Sequence, residues 1–342
     1  MEPAARKQKI LSAIVESFIH SGEPVGSKAL IGEAGLKVSS ATVRNDMAEL
    51  TEQGYIVQPH TSAGRIPTEL GYRYYVDNVM KVTPVTERGR EYIRDALSKN
   101  ADSPESILRS ASDILSRLTD YIALATTPCG ESARVRKISF VPTGAHSAMA
   151  VVIASNGTIK TKLFRCEFLI TPEILQVFAK AFNEEFAGIP LGSVTRPFIQ
   201  TAAAGFGELS LFMTAPLMAM KEACELAARV SVCHSGFGRL MNVTDADLLR
   251  TRRVWDFLQN EHDLSAMLER LPQNPSVTIG TENSRTELNK SAVASARYQI
   301  KGNPAGVLAV VGPMRMDYAR VMSILGCVAE CAGEFISELI EI

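Results

Sequence analysis

The apolar positions of this chain change rhythm as it runs, and each rhythm predicts an element. From Lys9 to His20, the residues Ile10, Leu11, Ile14, Val15, Phe18 and Ile19 fall on one stripe of a helix. Ser21-Gly22-Glu23-Pro24 breaks that helix, and Gly26-Ser27 caps a second, short one over Lys28 to Glu33. Gly35 and Leu36 turn the chain into Ser39 and Ser40. These are N-cap residues, whose side-chain oxygen can take a free backbone N–H of the first helical turn. Val43, Met47 and Leu50 follow at i, i+4 and i+7 and share an apolar face. Ala41, Asn45 and Ala48 lie opposite, with Thr42 and Arg44 on the flanks. Gly54, which tolerates the left-handed conformation, ends the helix. Tyr55 to Gln58 alternates like a strand, Pro59 to Gly64 is a polar tip, and Arg65-Ile66-Pro67 can return. A supporting helix, two short helices joined by a glycine-containing turn, and a strand pair predict a winged helix-turn-helix in residues 1–82.

The pattern then alternates between helix and strand. Glu69 to Met80 is helical, with Tyr72, Tyr75, Val76 and Val79 spaced to pack against the winged helix. Val82-Thr83-Pro84 breaks it. Glu87 to Leu97 and Ser103 to Leu124 read as helices; residues 83–102 are assigned to a linker, and the second helix opens a new domain. Lys137 to Val141 and Ala148 to Ala154 read as strands, Asn156-Gly157 is a hairpin turn signal, and Thr158 to Phe168 pairs back. Thr171-Pro172-Glu173 starts a helix whose Ile174, Phe178, Phe182 and Phe186 form a core stripe. Strands return at Val277 to Gly280, Ala294 to Lys301 and Gly306 to Gly312, and Asp317 to Ile340 closes the chain as a long helix. Between these strand groups, Thr201 to Leu271 reads as helical: Leu217 to Val232, Asp245 to Gln259 and Leu264 to Leu271. A helical block within a strand-rich domain reads as an insertion. The expected fold is therefore α+β and multidomain, with the second domain in two parts, 103–195 and 276–342, around an insertion at 196–275.

A recognition helix and wing imply DNA chemistry. A helix fits the B-form major groove, and its N-terminal residues reach base edges. Asn pairs bidentately with adenine and Arg with guanine, so Asn45 and Arg44 are the expected readers. Backbone N–H groups at a helix start favour phosphate. The DNA-binding set read from this layout is Ser27, Lys28, Ser39, Ser40, Ala41, Thr42, Arg44 and Asn45 on the helices, with His60, Thr61, Ser62 and Arg65 in the wing. An ordinary helix and hairpin with solvated polar faces would show the same spacing. Net charge does not decide between them. Up to Lys81 the chain carries nine basic and nine acidic residues, so affinity must rest on placement: Arg65, Arg44, Lys28 and the run Arg6, Lys7, Lys9 facing phosphate.

The phrases themselves are more specific. EPVGSKAL (23–30), SSATVRNDMAEL (39–50) and GYIVQPHTSAGRIPTELGYRYYVD (54–77) closely resemble the winged-helix end of the bacterial heat-inducible transcription repressor family, HrcA. One departure is Thr51, where that family usually has Glu. Ile279-Gly280-Thr281-Glu282-Asn283 and Gly312-Pro313-Met314-Arg315-Met316-Asp317-Tyr318 resemble its C-terminal phrases, with Met314 where Thr is usual. The resemblance implies a GAF-like domain split by an inserted dimerising domain. It implies repression of chaperone operons at the CIRCE inverted repeat, by a homodimer on double-stranded DNA. It also implies that the chaperonin GroEL maintains the active form. For the dimer interface, Leu248, Leu249, Trp255 and Leu258 in the expected insertion can present an apolar face, with Trp255 as anchor.

Other chemistry is sparse. A net charge of −1 argues against a polyanion-coating or membrane-surface role. No apolar run approaches the ~18 residues of a transmembrane helix, and the N-terminus lacks the apolar core of a signal peptide, so a cytoplasmic protein is expected. The six cysteines and five histidines show no zinc spacing, so no metal is expected and the thiols read as buried and reduced. His234-Ser235-Gly236-Phe237-Gly238 is not a nucleophile elbow. Arg315, between a strand and a helix, can hold an anion or anchor its turn. Three readings follow: a dimeric repressor without enzymatic activity or cofactor, a regulator sensing a small ligand in its GAF-like domain, and an enzyme with an accessory DNA-binding domain. The third lacks a catalytic constellation, and the first is the expectation.

Overall fold

Helix α1 (Pro3–Ser21) turns its apolar stripe inward: Ile10, Leu11, Ile14 and Val15 are all buried. They pack with Leu30 of α2 (Ser27–Glu33) and with Val43, Met47 and Leu50 of α3 (Ser40–Glu52). Two short strands, β1 (Ile56–Val57) and β2 (Ile66–Pro67), pair antiparallel as the wing, and Val25 bridges to Arg65 beside them. This computed structural model describes residues 3–33, 39–61, 63–128, 130, 133–207, 210–243 and 247–341.

Helix α4 (Glu69–Asn78) leads out of the wing, and α5 (Glu87–Ser98) follows. The stretch 83–102, expected as a linker, is docked. Ile93 and Leu97 of α5 are buried in the same core as the winged helix, and Arg90 pairs with Glu330 and Glu334.

The helix expected over Ser103 to Leu124 is shorter. Helix α6 (Pro104–Thr119) stops at Asp120, which adopts the left-handed conformation at φ 63°. Ile122–Thr126 is instead a strand, β3, buried at every position. A strand covered on both faces loses its alternation, so periodicity alone cannot tell it from a buried helix.

The chain then builds a separate sheet from β4 (Val135–Gly144), β5 (Ser147–Ala154) and β6 (Ile159–Arg165), in that order. Three helices complete this unit: α7 (Pro172–Phe186), α8 (Arg196–Gly205) and α9 (Ser210–Ala228). Phe178, Phe182, Phe186, Ile199, Met213, Leu217 and Met220 share one core with Ile138, Ala150 and Val152.

After α9 comes β7 (Val232–Ser235), within a stretch expected to be helical. It pairs with β3, Thr126 opposite Val232. A short α10 (Leu240–Val243), α11 (Leu248–Gln259), α12 (Glu261–Glu269), β8 (Ser276–Ile279), β9 (Ser291–Ile300), β10 (Asn303–Pro313) and the long α13 (Tyr318–Glu341) complete the chain. The second sheet is antiparallel throughout, in the order β7-β3-β10-β9-β8. Strand alternation divides its side chains cleanly. Ala123, Ala125, Leu308 and Val310 face α6 and α13, while Ile122, Leu124, Val307, Ala309 and Val311 face α11 and α12.

These two sheets move the insertion. The block that leaves the five-stranded sheet after β3 and returns at β7 is 133–228, not 196–275. Residues 196–228 share a core with β4 to β6, whereas Val254, Phe257, Leu258, Leu264 and Leu268 pack on the five-stranded sheet. The expected boundaries separated helices from strands, but each unit is a sheet with its own helices.

Candidate nucleic-acid interface

Ser39 caps α3 as its residue type predicts. Its backbone is extended (φ −70°, ψ 154°), and its Oγ accepts a hydrogen bond from the Thr42 N–H at 3.2 Å. With Val43, Met47 and Leu50 turned inward, Ala41, Arg44, Asn45 and Ala48 are left exposed. Ser40 and Thr42 are half-buried at the helix start. Ser40 Oγ lies 3.3 Å from Ser27 Oγ, and Arg44 Nε donates to Ser27 Oγ at 3.4 Å. The starts of α2 and α3 therefore meet, bringing Ser27, Ser40 and Arg44 together, with Lys28 exposed beside them.

The wing is tied to the same place. Arg65 N–H donates to Val25 O and Val25 N–H to Arg65 O, both at 2.9 Å. Gly64 has to be glycine here, because a Cβ would collide with the backbone of Pro24 and Val25. Gln58 Nε2 closes the tip by donating to Thr61 O and Ala63 O at 3.0 Å. His60 and Thr61 are exposed, while Ser62 lies outside the described residues. Arg65 Nε donates to Thr51 Oγ1 at 3.2 Å. Among the described residues, neither Arg44 nor Arg65 pairs with a carboxylate, so both guanidinium groups keep their charge for an external anion.

Arg6 and Lys7 of the N-terminal basic run do not join them. Arg6 forms a fork on Asp46, Nε to Oδ2 at 2.6 Å and Nη2 to Oδ1 at 2.9 Å, and Lys7 pairs with Glu49. The Arg6 guanidinium has its pKa raised, chiefly by that hydrogen bond to Asp46. These cations hold α1 to the back of α3 rather than facing phosphate. Asp46 is 3% exposed, and sequence reasoning missed it. The available signal was an acid next to Met47 on the inward side of α3, because a buried carboxylate requires a partner.

The expected dimer residues separate. Leu248, Leu249 and Trp255 of α11 are exposed, at 72%, 74% and 42%, and Trp255 packs on Phe237 with ring centroids 5.0 Å apart. Leu258 is buried at 1% exposure against the five-stranded sheet, beside Val254 and Phe257, so it cannot line a surface. Five of the cysteines are described and all five are free; Cys233 and Cys327 are half-buried, the other three buried, and Cys129 lies outside the described residues. Burial pushes the Cys224 thiol up to about 12 and the Cys327 thiol up to about 11, so both are protonated at neutral pH. Among the described residues no three metal-binding side chains cluster, and no helix is long and apolar enough to cross a membrane.

Comparison with known proteins finds relatives of both parts of the chain. Residues 105–322 match the family described as HrcA protein C terminal domain, and residues 33–69 match a DeoR-like helix-turn-helix domain. The heat-inducible transcription repressor HrcA of Syntrophobacter fumaroxidans is 33% identical over 348 residues, covering 98% of this chain and 97% of that protein. The repressor of the same name from Laribacter hongkongensis is 34% identical, covering 97% of this chain and 95% of its own. A crystal structure described as a hypothetical protein at 2.2 Å resolution shares the fold, with a TM-score of 0.65 at 23% identity and 98% coverage of each chain.

Proposed function

The chain belongs to the heat-inducible transcription repressor family HrcA, and on that premise we propose that it silences chaperone operons by binding the CIRCE inverted repeat as a homodimer. It is a DNA-binding transcriptional repressor with a winged helix-turn-helix and a GAF-like domain, and not an enzyme. The observation that carries the finer reading is the face shared by α3 and the wing. A serine-capped helix start, two cations without carboxylate partners and an exposed Asn45 belong to a domain with no net charge.

In this reading α3 enters the major groove, where Asn45 takes adenine and Arg44 guanine. Ser27, Ser39, Ser40 and Thr42 offer hydroxyl and backbone donors to phosphate, with Lys28 supplying charge and Ala41 allowing close approach. Arg65, with His60, Thr61 and Ser62, sets the wing on the flanking backbone. The protein works in the cytoplasm, where the chaperonin GroEL maintains its active form. Under heat, unfolded proteins occupy the chaperonin, repressor is lost to misfolding, and the operon opens.

An inverted repeat needs two winged helices related by a two-fold axis. The 133–228 block carries the apolar surface best suited to hold them. Leu211 is 83% exposed, Leu169 and Val177 are exposed, and Phe212 packs edge-on to Phe168 at 5.4 Å. Leu248, Leu249 and Trp255 form a second exposed apolar surface on α11. The alternative of a small-molecule sensor fits the packing less well, since helices fill both faces of the five-stranded sheet. The deciding experiment is a footprint of the purified protein on its own chaperone promoter. Protection of both arms of an inverted repeat is expected, and protection of neither arm would overturn the reading.

A further inference from the structure

Two phrases singled out in the sequence, more than two hundred residues apart, meet at the junction of the winged helix and the five-stranded sheet. Arg73 of α4 forms a fork on Glu282: Nε donates to Oε1 at 2.8 Å, and Nη2 donates to Oε2. The same Nη2 reaches Val277 O at 2.6 Å, and Nη1 reaches Asp77 Oδ1 at 3.1 Å. One turn earlier, Glu69 Oε2 accepts from Thr281 N–H at 3.0 Å and from Thr281 Oγ1 at 2.6 Å. Gly280 makes that approach possible: its φ is +56°, and a Cβ there would collide with the Glu69 carboxylate. Between these contacts Tyr72, 2% exposed, packs edge-on to Tyr318 at the start of α13, with centroids 5.9 Å apart.

None of these side chains belongs to the DNA-facing set. They lie on α4, which links the wing to the rest of the chain, on the turn after β8 and, for Tyr318, at the start of α13. A winged helix held only by the connection from 79 to 86 would sample many orientations. Here it shares an apolar core with α5 and α13, and the two polar contacts on either side of the buried aromatic pair add a directional restraint. Arg73 has its pKa raised, first by the Glu282 hydrogen bond. Burial pulls the Glu282 carboxyl upward, but the hydrogen bonds from Arg73 and Ile279 N–H and the Arg73 charge outweigh it, leaving its pKa below the ordinary value.

We propose that Arg73 and Glu282, with Glu69 and Thr281, are positioning residues that fix the winged helix on the GAF-like domain, so that a dimer presents its two recognition helices at the spacing of the two half-sites. Fixed presentation makes the second half-site an intramolecular target at high effective concentration, whereas loose presentation forfeits that gain. The inference rests on the dimer and inverted-repeat reading.

The test compares full-length Arg73→Ala, Glu282→Ala and Thr281→Val with the unaltered protein, on DNA carrying one half-site and on DNA carrying the full repeat. Thr281→Val removes only one hydroxyl contact and serves if the charge variants fold poorly. Each variant is expected to bind the single half-site within twofold of the unaltered protein. The full repeat should bind at least tenfold more weakly for the charge variants and severalfold more weakly for Thr281→Val. Arg73→Lys, which keeps the charge but not the fork, should recover part of the loss. Unchanged binding to the full repeat overturns the proposal. So does an equal loss on half-site and full repeat, which would mean the joint only supports the fold of the winged helix. An unaltered protein that is monomeric, or gains nothing from the second half-site, overturns the dimer reading itself, and that failure is visible without any variant.

Discussion

The residues proposed to read DNA and the residues that hold them are separate on α3. Asn45 and Arg44 face out, whereas Asp46 faces in and is clamped by Arg6. Asn45→Ala and Arg44→Ala are therefore expected to weaken operator binding by about 1–3 kcal/mol each and to relax base preference at one position each. Competition binding against single-base operator variants measures both, and an Asn45→Ala protein with unchanged affinity and preference would refute the assignment. Thr51 makes a finer point. Its Oγ1 donates to Met47 O at 2.8 Å and accepts from Arg65 Nε at 3.2 Å, so it orients the wing arginine without neutralising it. Thr51→Glu should pair with Arg65 and flatten the salt dependence of DNA binding by roughly one phosphate contact, as Arg65→Ala should. Thr51→Val should weaken binding while leaving the salt slope unchanged. Equal slopes for all three proteins would show that Arg65 does not meet phosphate.

At the scale of elements, the joint between α4 and the turn after β8 sets a pH prediction. The native pKa of Glu282 lies below its ordinary value of 4.5, so its ionised form stabilises the fold. That contribution is complete above the unfolded value and is lost as pH falls through the lower native one. The groups facing it are Arg73 on α4, with Asp77 and Glu69 alongside. The stability difference between the unaltered protein and Glu282→Gln, measured by urea melts, should be constant from pH 7 to 5 and shrink below about pH 4; a difference that grows on acidification would contradict it. The winged helix is legible in the sequence because its signals are local: the Ser39 cap, the Val43-Met47-Leu50 face and the positive φ of Gly54 each act within a few residues. Strands β3 and β7 are not legible. Ile122 to Thr126 is apolar on both faces, and Val232–Ser235 is a strand only because β3 lies beside it. The exposed face of α3 proposed to meet DNA follows from the helix periodicity alone, but the partners that secure it do not. Arg6 meets Asp46 across 40 positions, and Arg73 meets Glu282 across 209.

At the scale of the molecule, the question is which unit would hold the proposed dimer, and the topology supplies a clean cut. Strands β3 and β7 are antiparallel neighbours, and their ends nearest the 133–228 block face each other, Thr126 opposite Val232. Beyond that pair, Thr127 N–H donates to Ser231 O and Ser231 N–H to Thr127 Oγ1, both at 2.9 Å. The block thus leaves and re-enters through a closed ladder end, where a short turn can replace it as a hairpin. Its core is its own, built from Phe178, Phe182, Phe186 and Met220, so removing it leaves both faces of the five-stranded sheet covered. A chain with residues 128–230 replaced by a Gly-rich turn is expected to fold, to scatter light as a monomer, and to bind one half-site weakly with no gain from the second. Leu211→Glu with Phe212→Ser in the full chain should give the same monomer without deletion, because a charge in an apolar interface has no partner there. If both proteins remain dimeric, the contact lies on the α11 surface, and Leu248→Glu with Trp255→Ser should break it instead. A deletion chain that is folded, monomeric and still cooperative on the full repeat would mean that DNA alone pairs the two winged helices.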